Sequence, residues 1–177
     1  MRTKIFVVLF AVLFVAGTIF AGGNANKAEK KAYSSVLSWL QELDPGVITI
    51  SGKMEHIRGA RYFWLAENSD SRISGNSVSI FNGNLDASGT GPIWGEYFST
   101  DANGDPTTDG WKCSWHGQMY DYSAGKFNWL VKSVCHGTGI YDGMRLEDTQ
   151  AFDTYLDPSL YPFKGYTVGE ISEANKD

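Results

Sequence analysis

Apolar and polar residues alternate with a period of two from Trp111 to Met119. Trp111, Cys113, Trp115, Gly117 and Met119 take one face and Lys112, Ser114, His116 and Gln118 the other, the pattern of a half-buried strand. After Ser123-Ala124-Gly125 the alternation resumes, with Phe127, Trp129, Val131, Ser133 and Cys135 against Asn128, Leu130, Lys132, Val134 and His136. Setting Cys113 opposite Cys135 centres the two strands on Ala124, the middle of a three-residue loop whose third residue is glycine. Such a loop is a favoured hairpin connection, because a type I turn is followed by a left-handed residue and glycine adopts that conformation without steric cost. Alternation, loop length and cysteine spacing therefore agree on one register. They predict a Cys113–Cys135 disulfide, with a buried pair of free thiols as the alternative. The face carrying Trp111, Trp115, Trp129 and Met119 is expected to point inward, and the glycines at 117 and 137 to leave space between its rings.

Further segments read as strands: 47–52, 57–66, 77–85, 93–100, 144–152 and 166–171, each rich in β-branched or aromatic residues and bounded by Gly, Asn, Asp or Ser. With the hairpin they make about eight, the number that closes a small barrel, and closure removes exposed sheet edges. The fold class expected is all-β: a small antiparallel barrel, with a β-sandwich as the alternative. Between residues 27 and 43, Tyr33, Val36, Leu37, Leu40 and Leu43 fall at helical spacing before Asp44-Pro45-Gly46, which predicts an N-terminal helix packed on the barrel. Aromatics followed closely by glycine (Phe81-Asn82-Gly83, Trp94-Gly95, Trp115-His116-Gly117) mark bends or places where a ring lies against backbone.

Arg2 and Lys4 precede an apolar run from Ile5 to Val15, followed by small residues up to Ala25. This reads as a secretory signal peptide over 1–25, ahead of the helix in 26–46 and the barrel domain in 47–177. Secretion or export to a periplasm is the expected location, and no other stretch could span a membrane as a helix. Losing Arg2 and Lys4 takes the formal charge from −5 to −7. An acidic chain with no Lys/Arg cluster is a poor partner for nucleic acid.

Candidate chemistry is sparse. Asp101, Asn103, Asp105 and Asp109 imitate the opening of a calcium loop, but Pro106 stands where the sharp-turn glycine belongs and Lys112 where the bidentate Glu belongs. The stretch reads better as a polar connection. In the predicted register His116 lies opposite Lys132 and His136 opposite Lys112. The two imidazoles are then about 13 Å apart, too far for one metal ion, so no cofactor is expected. Glu96 shares a face with Trp94 and Phe98; inward, it would be a desolvated acid and the candidate catalytic group, whereas outward, the reading favoured here, it meets solvent.

Three segments, GPIWGEYF (91–98), GWKCSWHGQM (110–119) and HGTGIYDGM (136–144), resemble the broad superfamily of allene-oxide-cyclase-like and dirigent-like β-barrels, above all its bacterial members of unassigned function. There a G-T-G-x-Y-x-G segment follows a tryptophan-bearing hairpin, as residues 137–143 do here. The resemblance covers the middle third of the chain and implies an eight-stranded barrel; no cyclase or dirigent catalytic residue maps onto any position. Non-catalytic binding of an apolar or aromatic small molecule by Trp94, Trp111, Trp115, Trp129 and Met119 is the function expected first. A cyclase- or isomerase-type enzyme acting on a hydrophobic substrate and a protein-interaction module are the alternatives.

Overall fold

The computed structural model describes residues 29–120, 126–155 and 164–173. It contains nine strands: β1 (Lys30–Asp44), β2 (Val47–Ser51), β3 (Met54–Asn68), β4 (Gly75–Leu85), β5 (Gly91–Thr100), β6 (Gly110–Tyr120), β7 (Lys126–Thr138), β8 (Arg145–Tyr155) and β9 (Lys164–Ser172). β3 to β9 form an antiparallel meander, and β1 closes it by pairing with both β9 and β3. The result is a closed barrel of eight strands with β2 as an extra strand on β3. Among the described residues there is no α-helix, only single 3-10 turns at Ser71–Ile73 and Gly139–Tyr141.

The tryptophan hairpin forms in the expected register. β6 and β7 pair without a shift from Gly110–Thr138 to Tyr120–Asn128, with Cys113 opposite Cys135, His116 opposite Lys132 and Lys112 opposite His136. The cysteines are bonded, their Cα atoms 3.9 Å apart. The connecting loop Ser123-Ala124-Gly125 lies outside the described residues, as does the leader expected over 1–25.

The expected N-terminal helix is wrong over its described part: Lys30–Asp44 is a strand, so the barrel begins at Lys30 rather than at residue 47. Two irregularities explain the false helical spacing. Register shifts fall between Trp39 and Gln41 and between Glu42 and Asp44, and each extra residue moves the following side chains to the other face, which breaks the period of two. In addition, the buried position between Tyr33 and Leu37 is filled by Ser35, so the alternation is masked. β2 continues β1 along the same partner: Asp44 faces Arg61 and Val47 faces Arg58. Between them Gly46 has φ 71°, and a side chain there would press on Arg58 O and Ala60 N at 2.5 and 2.6 Å. Only glycine suits that bend.

Large inward side chains pack over missing ones. Gly95 lies between Trp115 on β6 and Phe81 on β4, and Gly165 lies opposite Phe152 on β8. In both places a Cβ would collide with the facing ring. Glycines 117 and 137 serve the same end, contrary to the expectation that they open space for a ligand. Their Cβ positions are taken by the Leu130 carbonyl with Val131, and by the Tyr141 backbone.

Candidate functional site

The barrel interior is filled at one end and hollow at the other. Near the β6–β7 loop, Phe81, Leu85, Ile93, Met119, Trp129 and Phe152 belong to one buried cluster. Its upper surface is aromatic: Trp115 and Trp129 lie 6.1 Å apart between ring centroids, Trp64 and Trp129 6.0 Å, and Trp129 and Phe152 4.5 Å edge to face. Above this floor is a cavity of about 200 Å³. Its walls carry the small hydroxylic side chains Ser35, Ser77, Ser79, Ser99 and Thr167 among larger residues such as Leu37, Tyr97 and Leu146. The hollow therefore arises where short polar side chains replace large apolar ones at inward positions.

The rim is built by the two 3-10 turns. Asp70 caps the first: its carboxylate accepts from Arg72 N (3.1 Å), Arg72 Nε (2.9 Å) and Arg72 Nη2 (2.7 Å), and from Lys31 Nζ (3.2 Å). These donors, Arg72 first, hold the Asp70 carboxyl well below the usual carboxylate range. Trp111 braces the turn against the second one, donating Nε1–H to Arg72 O at 2.9 Å and stacking on Tyr141 at 5.6 Å. Asp109 accepts from Ile140 N at 3.0 Å, tying the preceding loop to the same turn.

One acid sits in the cavity wall, and it was not among the expected candidates. Asp148 is 8% exposed. Oδ2 accepts from Tyr33 OH at 2.7 Å; Oδ1 accepts from Gln150 Nε2 at 3.3 Å and from the Ser133 hydroxyl. Gly169 stands between Tyr33 and Asp148 in the sheet, and its missing side chain lets the phenol reach across. Burial pushes the Asp148 carboxyl up, against the three hydrogen bonds that favour its charge. Burial and the facing carboxylate push the Tyr33 phenol up as well, so it remains a neutral donor. Tyr97 OH lies 3.0 Å from Cys135 Sγ; a disulfide sulfur has no proton, so the phenol donates.

A carboxyl with a higher pKa folded than unfolded binds more protons in the native state. Its contribution to stability is full at low pH and is lost as pH rises through the native value. Asp148→Asn, which can still exchange hydrogen bonds with Tyr33, Ser133 and Gln150, should remove that slope. Urea unfolding at pH 4.5 and pH 8 should find the variant gaining on the wild type as pH rises; a variant that instead lost ground to the wild type over that range would contradict the burial argument.

The other sequence candidates are scattered. Trp111, Trp115 and Trp129 line the cavity; Met119 is packed beneath the floor. Trp94 is on the outer wall, with the Arg58 guanidinium 5.0 Å above its ring. Glu96, in phase with Trp94, is exposed, and the interior acid is Asp148 instead. Glu96 thus meets solvent, as the favoured reading has it, whereas Trp94, expected among the binding residues, is outside because β5 is apolar on both faces. Outside, Phe98 and Phe63 flank Val78 in adjacent strands, and the loop through Gly104 folds against that row, so Val78 is fully buried. In this loop Asp101 Oδ1 accepts from Asn103 N (2.8 Å) and Asp105 N (3.1 Å), occupied by its own turn. Among the described residues no group of His, Cys, Asp or Glu is gathered to hold a metal ion. His56 pairs with Asn84 Oδ1 at 2.8 Å, and His116 and His136 are exposed on the outer face. The signal that could have found Asp148 is its phase with Leu146 and Phe152 on β8.

No family model, curated protein or solved structure matches the chain. No helix among the described residues is long and apolar enough to cross a membrane.

Proposed function

We propose that this chain is an exported binding barrel that takes a small aromatic molecule into the cavity above Trp115 and Trp129. The observation that carries the reading is the composition of the cavity. An aromatic floor faces walls in which Ser35 Oγ, Trp64 Nε1 and Thr167 Oγ1 are buried without a hydrogen-bond partner among the described residues. Buried polar atoms are rarely left so, because each unsatisfied group costs on the order of 1–3 kcal/mol; a ligand or water between the walls would satisfy them. A 150 Å³ apolar cavity accepts benzene, so about 200 Å³ admits a ring with a short arm. The disulfide supports an oxidising compartment, and the closed eight-strand meander agrees with the architecture that the sequence resemblance implies.

Titration of the disulfide-intact protein with indole or phenol should change its tryptophan fluorescence and saturate. Ser35→Leu, which fills the hollow and removes an unpaired hydroxyl, should abolish that change while leaving the fold intact. Unaltered binding by Ser35→Leu would place the ligand elsewhere. The second reading, an isomerase-type enzyme, is favoured by a single feature: Asp148, with Tyr33 beside it, is an interior acid of the kind such chemistry uses.

A further inference from the structure

We propose that the ligand is a small aromatic amine, its ammonium docked on Asp148 and its ring on the tryptophan floor. The inference rests on the cavity being a binding site and concerns which chemical class enters it. A carboxylate offers about four acceptor positions. Asp148 uses two on Oδ1, for Ser133 and Gln150, and one on Oδ2, for Tyr33. One position therefore remains on Oδ2, in a residue that lines the cavity.

Charge decides between ligand classes. Arg72 is the one cation lining the cavity among the described residues, and it is committed at the rim to Asp70 and, at 3.5 Å, to Glu173. The other ion pairs of the described barrel lie at the rim, Lys31 to Asp70, or on the surface, Lys30 to Glu170 and Arg145 to Glu147. None reaches Asp148. A buried carboxylate held by neutral donors alone gains most from a cation, and an anionic ligand would meet its repulsion in a medium that screens poorly. The surroundings suit an ammonium in two further ways. Tyr33 and Trp115 share the cross-strand row of Asp148, and aromatic faces attract cations, more strongly when desolvated. Ser35 and Thr167, which face each other in the next inward row, carry unpaired hydroxyl oxygens for the remaining N–H groups, since an ammonium has three donors.

Three probes of nearly equal shape separate the possibilities: phenethylamine, 2-phenylethanol and 3-phenylpropionate, each titrated by calorimetry into the disulfide-intact protein at pH 7. Phenethylamine should bind roughly ten- to a hundredfold more tightly than the alcohol, the range of a hydrogen bond to a charged group, and the carboxylate should not bind measurably. Asp148→Asn should bring amine and alcohol within about threefold of each other while alcohol binding persists. Tyr33→Phe, which keeps the carboxylate and frees a second position on Oδ2, should hold or widen the amine preference and serves if Asp148→Asn does not fold. Equal binding of amine and alcohol by the wild type, or a preference that survives Asp148→Asn, would overturn the amine assignment and leave the binding cavity standing. Failure of all three probes to bind would overturn both.

Discussion

Replacing Cys113 and Cys135 together by alanine should lower the unfolding free energy by roughly 3 kcal/mol. The bond closes a loop with a sequence separation of 22, and in the chain-entropy account a loop of that size restricts the unfolded ensemble by about this amount. For a chain of this length the loss corresponds to a fall in melting temperature of about 6–12 °C. The native hairpin should persist, because its register is also held by the inward packing of Trp115 and Trp129 and by the unbroken pairing from Gly110 to Tyr120. Differential scanning calorimetry of oxidised protein and variant measures the shift. Thiol labelling of the unfolded, unreduced protein gives an independent check: two titratable thiols would remove both the bond and the argument from it to an oxidising compartment.

Gly95→Ala should be at least as damaging, costing about 3 kcal/mol or more. Its methyl group would overlap Ile80 O, a backbone atom fixed in the β4–β5 ladder, and would stand 2.7 Å from Trp115 Cζ2 in the cavity floor. Neither neighbour can yield without moving a strand or the ring against Phe81, whose centroid is 5.8 Å away. Gly83→Ala is the matched control. It lies on an adjacent strand, and its nearest contacts are side-chain atoms, Phe81 Cε1 at 3.2 Å and Ile93 Cγ2 at 3.4 Å, so its cost should stay near 1 kcal/mol. Equal losses in the two variants, measured by urea unfolding, would show that glycine in these strands matters for backbone entropy and not for the seat it gives the indole.

What the sequence determined by itself is the hairpin and the class of fold. Period-two alternation, a short glycine-bearing loop and two cysteines are local signals, and strand pairing between neighbours in sequence depends on little else. The eight-strand count is right for a partly wrong reason: the pattern reads 47–52 as a barrel strand and 27–43 as a helix, whereas β1 closes the barrel and β2 extends it along β3. Closure joins β1 to β9 across the length of the chain, a pairing with no local signature, and two bulges within β1 erase the alternation that would have identified it. The candidate site was legible only as far as Trp111, Trp115 and Trp129. On β5 both faces are apolar, so the pattern that puts Glu96 outward, as it is, also offers Trp94 of the same face as a cavity residue, and on β8 Asp148 and Gln150 occupy inward positions that a period-two reading reserves for apolar residues. Tertiary structure settled both, because burial belongs to the closed barrel. Large rings from several strands fill one end over glycines, and the serines and threonines of β1, β4, β5 and β9 leave the other end hollow around a carboxylate.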